Sequence, residues 1–223
     1  GPITYVVKKK NNSKIKPLAC GNLKTVGIRF PKNKIIRKLL KKLEFPLAMP
    51  SANKSSGVSP VKPLDVVEEF NNKIKVVDGG ISKIGIESTV LNLVDKVCIL
   101  RPGIITPKQI ENILKIKLKI LTKQTILKSP GLLKKHYSPG LPMYINKNKC
   151  PDKYAFITFG NKYPVTRNSF NLSRKSNLNE AAKNLYKFFR IIKKRGYKKI
   201  YVAKIPSTGV GIAINDRLKR ASK

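Results

Sequence analysis

An α/β protein in two units is what the sequence predicts, and three observations carry that expectation. Short β-branched strands alternate with segments of helical periodicity through residues 1–127. A stretch at 128–142 then breaks the pattern, with three prolines and two glycines between Ser129 and Pro142. Beyond it, over 143–223, a strand, helix, strand, helix succession implies a small parallel unit, because parallel neighbours need a crossover connection.

In chain order, Ile3-Thr4-Tyr5-Val6-Val7 is β-branched and aromatic and predicts a strand, followed by a Lys/Asn/Ser loop over 8–14. Thr25 to Phe30 alternates and stops at Pro31, a second strand. Ile35, Ile36, Leu39, Leu40 and Leu43 fall on one helical face, with Arg37, Lys38, Lys41 and Lys42 opposite. Phe45 to Met49 reads as a short buried strand entering a Ser51-Ala52-Asn53 turn, 54–60 as a loop, and Leu64, Val67 and Phe70 as the face of a short helix. Ile74 to Val77 predicts a strand that ends in the tight turn Asp78-Gly79-Gly80. Ser88 to Val94 and Val97 to Leu100 are further strands, the second running into Arg101-Pro102-Gly103. Thr106 as N-cap, with Pro107 at the first helical position, opens a helix whose face is Ile110, Ile113 and Leu114.

In the second unit, strands are expected at Met143 to Asn146, Tyr154 to Phe159 and Ile200 to Ile205. A helix over about 178–194 has Asn177 and Glu180 at capping-box spacing and an apolar face of Ala181, Leu185, Phe188, Phe189 and Ile192. A closing helix is expected over Ile214 to Ala221. No internal repeat is visible.

At 223 residues and 41% apolar content the chain is long enough for a substantial core. Its net charge of +37, from 48 Lys and Arg against 11 Asp and Glu, attracts nucleic acid or anionic substrates. The lysines are spread along the chain, and abundant Lys, Asn and Ile with no Trp is also what an AT-rich coding bias produces. Cys20, Cys98 and Cys150 are far apart, and His136 is the single histidine, so neither a disulfide framework nor a zinc site is supported and no metal ligands are assigned. No run of 18 apolar residues and no signal-peptide pattern is present, which makes a cytoplasmic protein without membrane contact the default. Residue 1 is Gly, and Ile3 to Val7 already reads as a strand in progress, which suggests the later part of a longer protein.

Several residues suit a polar ligand. Ser51 and Asn53 supply donors and acceptors beside backbone N–H groups, although a plain Ser/Asn turn explains them equally. Ser88 and Thr89 carry the same ambiguity. Arg29, at a strand end before Pro31, can grip a carboxylate or simply face solvent. Arg101, held at a strand exit by Pro102-Gly103, suits a phosphate. His136-Tyr137 can stack on a base and touch a phosphate, or sit exposed in the linker. Gly209-Val210-Gly211 matches half a dinucleotide fingerprint but has neither a third glycine nor a later acidic residue, so it reads as a turn before a helix. No G-x-S-x-G elbow accompanies the sole histidine, which leaves a serine-hydrolase triad unsupported.

Taken in order, Pro2-Ile3-Thr4, Thr25 to Pro31, Pro50-Ser51-Ala52-Asn53 with Ser59-Pro60, Asp78-Gly79-Gly80, Glu87-Ser88-Thr89-Val90 and Leu100-Arg101-Pro102-Gly103 closely resemble the YrdC-type threonylcarbamoyl-AMP synthases. The linker from Ser129 to Pro139 and the ending from Gly209 to Leu218 resemble the longer, two-domain members. The resemblance implies a partial YrdC-like twisted mixed sheet with helices, followed by a small Rossmann-like parallel domain. It also implies a nucleotidyltransferase that forms threonylcarbamoyl-AMP and pyrophosphate from L-threonine, bicarbonate and ATP, with Mg2+ accompanying the ATP. The product would pass to the threonylcarbamoyl-transfer machinery that modifies adenosine 37 of tRNA. Carried over from the family, Arg29, Ser51 and Ser88 match threonine contacts, Thr25, Asn53 and Arg101 match ATP contacts, and His136-Tyr137 matches the linker that folds over the nucleotide. The family's Thr after Ser59-Pro60 is Val61 here. Its Lys/Arg-rich N-terminal motif is absent from these residues, so an N-terminally truncated chain with little or no activity alone is expected. The alternative is a YrdC-like protein that binds tRNA or double-stranded RNA without adenylation chemistry.

Overall fold

The computed structural model describes residues 1–121 and 136–222, so the 128–135 part of the expected linker lies outside the described residues. The chain divides into two compact units, one of Gly1–Pro50 with Glu87–Leu133 and one of Ser51–Ile86 with Lys134–Lys223. Both expected sheets are present, the first mixed and the second parallel.

The first unit is a five-stranded sheet of β1 (Ile3–Lys8), β2 (Thr25–Ile28), β3 (Thr89–Asn92), β4 (Cys98–Arg101) and β5 (Lys119–Ile120), in the order β2-β1-β3-β4-β5. β1 runs antiparallel to β2 and parallel to β3, with Thr4 opposite Val90. β4 returns antiparallel to β3, with an irregularity between Val90 and Leu91. Strand alternation sorts the core into two faces. Leu91 and Ile99 meet Ile110, with Ile3, Tyr5, Ile105 and Ile120 packed around them, and Val6, Val90, Cys98 and Leu100 form the other cluster. Ile110 belongs to α3 (Pro107–Leu114), whose Thr106 cap closes a reciprocal box with Gln109, as the Thr-Pro start predicts.

The predicted amphipathic helix exists as α1 (Lys34–Lys41), capped by Asn33 Oδ1 accepting from the N–H groups of Ile35 and Ile36. It buries none of its residues, and Ile35 and Leu39 stay over 40% exposed. The expected strand at Phe45 to Met49 is irregular chain with Phe45 and Met49 exposed. Pro46 and Pro50 lack the N–H that a ladder requires. The expected strand at Ile74 to Val77 is irregular for another reason: β-branched residues favour a strand only where an edge receives them.

The second unit holds β6 (Met143–Tyr144), β7 (Ala155–Thr158), β8 (Ser169–Asn171) and β9 (Ile200–Val202), all parallel, in the order β6-β9-β7-β8. α4 (Leu178–Lys194) buries Ala181, Ala182, Leu185, Tyr186, Phe189 and Ile192, leaving Phe188 only half-buried. Its expected capping box is one-sided. Asn177 Oδ1 accepts from the N–H groups of Asn179 and Glu180, whereas the Glu180 carboxylate accepts from Ser173 Oγ at 2.6 Å, and that hydroxyl oxygen accepts the Asn177 N–H. α5 spans Gly211–Ala221 and starts three residues earlier than periodicity indicates, and Gly211 lies too close to the Pro206 carbonyl for any side chain.

The segment 51–86 belongs to this second unit through Arg190 of α4. Its Nη2 donates to the Val58 carbonyl at 2.7 Å and lies 3.5 Å from Glu69, while Nε lies 3.7 Å from Asp65. Asp65 sits in the first turn of α2 (Pro63–Glu69), where its carboxylate also accepts from the N–H groups of Val61 and Lys62. Gly85 lies where a Cβ would come 2.4 Å from the Lys183 Cα, so only glycine fits against α4. The Asp78-Gly79-Gly80 turn forms as expected, with Gly80 at φ 77° and its N–H on Asp78 Oδ1.

Candidate functional site

In the first unit the chain ends of β1, β2 and β4 converge. Arg29, one residue past β2, donates from Nε to Thr4 Oγ1 at 3.0 Å. Thr4 Oγ1 shares a 2.9 Å hydrogen bond with Ser88 Oγ. Arg101 donates from Nη2 to the same Ser88 Oγ and from Nε to the Ser88 carbonyl, both at 3.1 Å. A continuous line of polar groups, guanidinium, hydroxyl, hydroxyl, guanidinium, is the result. Each hydroxyl already accepts from an arginine, and one O–H is used between them. The other hydroxyl proton of the pair is not used within this line and can donate to an anion.

Charge reinforces that direction. The Arg29 guanidinium is held below the ordinary arginine pKa, first by loss of solvation and then by the positive charge of Arg101, with Glu87 opposing. Arg29 is nevertheless exposed to solvent, so it remains charged and the repulsion from Arg101 is the more telling cause. Two guanidinium charges set against Glu87 leave an excess positive charge that a carboxylate or phosphate would neutralise.

The backbone beneath is tightly fixed. A Cβ on Gly103 would fall 2.4 Å from the Thr89 nitrogen, and the fully buried Thr89 hydroxyl donates to the Ile105 carbonyl at 2.6 Å. Arg101-Pro102-Gly103 thus holds Arg101 against Ser88 through close contact rather than through turn freedom alone. Arg29 and Ser88, expected at threonine, and Arg101, expected at ATP, meet in one hydrogen-bonded line. Thr25 lies on the same face of β2 as Arg29 but opposite Lys8, about 13 Å along the strand, and does not join this cluster. Thr4, the hub of the network, escapes sequence reasoning because a threonine in a strand is ordinary. Its only signal is its place in the Pro2-Ile3-Thr4 motif.

The other assigned residues belong to the second unit. Ser51 is exposed. Asn53 is 9% exposed, and its Nδ2 donates to the carbonyls of Lys54 and Gly57, fixing the turn. Its Oδ1 has no partner among the described residues, an acceptor whose burial is costly unless a donor such as an amine or ribose hydroxyl reaches it. His136 is half-buried, with its N–H on the Arg220 carbonyl. Tyr137 is fully buried at φ 64°, an unusual backbone for a tyrosine. Its ring lies under the Arg217 guanidinium, 5.0 Å away, and stacks near Tyr186. The second residue of the pair is thus an anchor within its unit in this conformation, not an exposed linker ring. Among the described residues no group of three or more His, Cys, Asp or Glu could hold a metal ion.

A mixed sheet that gathers two arginines and two hydroxyls at its strand ends, in a chain that continues into a parallel α/β unit, defines an α/β protein with a site for an anionic small molecule. Comparison with known proteins makes this specific. Residues 1–103 match the Sua5/YciO/YrdC family, described as "Telomere recombination", and residues 105–223 match the C-terminal domain family of threonylcarbamoyl-AMP synthase. The whole chain aligns at 32% identity with 70% of the threonylcarbamoyl-AMP synthase of Pyrococcus abyssi, and at 30% with 70% of the Bacillus subtilis protein of that name. A crystal structure of P. abyssi Sua5 complexed with L-threonine superposes with a TM-score of 0.87 at 29% identity, covering all of this chain and 70% of that one. The chain belongs to the threonylcarbamoyl-AMP synthase family.

Proposed function

We propose that the protein is an L-threonylcarbamoyladenylate synthase, a nucleotidyltransferase of tRNA modification. The observation that carries the reading is the Arg29–Thr4–Ser88–Arg101 line, a built anion site in a chain that matches both family domains. The amine of threonine captures carbon dioxide from bicarbonate as a carbamate. A carbamate oxygen attacks the α-phosphorus of ATP, the bond to the bridging oxygen breaks, and pyrophosphate leaves with that electron pair. The carbamate is short-lived, so catalysis consists of aligning three anionic pieces away from water and neutralising charge at the phosphates.

Within that reading Arg29, Ser51 and Ser88 hold threonine, Asn53, Arg101 and His136 hold ATP, and Thr25, outside the cluster, and Tyr137, fully buried in this conformation, match ATP positions of the family. The excess charge of Arg29 and Arg101 and the orphaned Asn53 Oδ1 support the parts played by those three. Mg2+ would arrive with the triphosphate, since the described residues offer no carboxylate cage. The functional division we propose is 1–127 catalytic, 128–142 linker and 143–223 C-terminal domain. No helix among the described residues is long and apolar enough to cross a membrane, and a cytoplasmic location with transfer of the product to tRNA-modifying machinery is proposed with the reaction.

The test is pyrophosphate release by the full-length gene product with ATP, threonine and bicarbonate supplied singly and together. Release that needs all three supports the reading. Turnover indifferent to threonine or bicarbonate sinks it, and salt-sensitive RNA binding with no release restores the alternative of an RNA-binding protein.

A further inference from the structure

All four strands of the second unit are parallel, and parallel sheets are ordinarily covered on both faces. Register gives the two faces different fates. Met143, Ile200 and Ala155 form one cross-strand row, and each is buried. The next row, on the opposite face, is Tyr144, Tyr201 and Phe156. There Tyr144 stays 39% exposed and Tyr201 is half-buried. Tyr154 extends the row, stacking on Tyr201 at 5.9 Å with planes 14° apart, while Tyr144 lies 5.0 Å from Tyr201 on the other side.

Positive charge surrounds these rings. The ammonium groups of Lys199 and Lys153 lie 5.1 and 5.3 Å from the Tyr154 centroid, and Lys147 and Lys149 are exposed just beyond β6. Asp152 is the exposed acid of the same stretch. Phe156 of the same row is buried against Tyr163, so the open part is Tyr144 with the partly exposed Tyr201 and Tyr154, and this aromatic strip with its lysine rim is complementary to an unpaired nucleic-acid strand: bases stack on the rings and phosphates meet the ammonium groups. An acidic polypeptide would satisfy the lysines but leave the tyrosine row without a planar partner.

We propose that the Tyr144–Tyr201–Tyr154 row and its lysine rim bind an unpaired stretch of RNA. The choice of RNA over DNA rests on the synthase reading, whose product is destined for tRNA; the stacking surface does not. Labelled oligo-uridylate, oligo-thymidylate and inorganic polyphosphate, titrated against the full-length gene product, test it. Tyr144→Leu, which keeps an apolar side chain on the edge strand, should weaken oligo-uridylate binding about 10-fold and leave polyphosphate binding unchanged. Tyr144→Phe should bind as the wild type does. Lys153→Gln with Lys199→Gln should weaken both ligands and lower the salt slope by about 1.4.

Unchanged oligo-uridylate binding by Tyr144→Leu would overturn the proposal. So would tighter binding of oligo-thymidylate, or competition by poly-glutamate as effective as that by RNA. Pyrophosphate release measured in parallel separates the two claims. The Tyr144 variants should retain it, and a wild type that stacks RNA without releasing pyrophosphate would refute the synthase reading alone.

Discussion

The two units use their arginines in opposite ways. In the second, Arg190 is met by Asp65 and Glu69, and the fully buried Arg217 by Asp216 at 2.7 Å, which Arg220 also engages. Charge meets charge, and the arginines hold segments together. In the first, Arg29 donates to the Thr4 hydroxyl and Arg101 to the Ser88 hydroxyl and carbonyl, and burial followed by the charge of Arg101 lowers the Arg29 pKa. The second unit's arginines thus hold segments together through carboxylates, whereas Arg29 and Arg101 are gathered on a shared pair of hydroxyls at the strand ends, where we propose that the anionic ligand binds.

The sharpest way to break this contrast is to remove one arginine of each kind. Arg217→Ala should destabilise the protein by about 3 kcal/mol in urea unfolding, the low end for a broken buried pair because Asp216 keeps Arg220. Arg101→Ala should leave the unfolding midpoint nearly unchanged and lower pyrophosphate formation about 100-fold. If the two variants exchanged phenotypes, the division of roles would be wrong. Gly103→Ala drives a Cβ into the Thr89 backbone, and we expect a loss of about 2 kcal/mol together with reduced turnover, because the same contact seats Arg101. Thr4→Val cuts the hydroxyl pair while keeping the shape of the side chain. It should raise the KM for threonine about 10-fold, with Thr4→Ser close to wild type. The smallest effect expected is Asn33→Ala, which removes the cap of an exposed helix and costs about 1 kcal/mol without touching turnover.

Local signals made much of this legible beforehand. The Thr106-Pro107 start and the apolar face of α4 depend on neighbours in sequence, and they form; the strands from Ile3 and Thr89 form because each supplies the other with an edge. Phe45 to Met49 and Ile74 to Val77 looked equally strand-like but depend on a receiving edge, which composition does not encode. The clamp of Arg190 on the 51–86 segment joins residues 132 apart, and nothing near either end announces it. The site divides similarly. Arg29, Ser88 and Arg101 stood in recognisable motifs, whereas Thr4 becomes visible only when β1 pairs with β3 and places its hydroxyl beside Ser88. The sequence shows Tyr137 only as a ring that could stack, and its burial under Arg217 depends on α5 being in place.

The central claim is that the charge left over in the first unit serves a threonine-derived carbamate and the phosphates of ATP. Pyrophosphate release by the full-length gene product, followed while threonine and bicarbonate are each withheld, tests it most directly. The account predicts release only when both are present, and loss of that release in Arg101→Ala. Release at full rate with either one missing would contradict it.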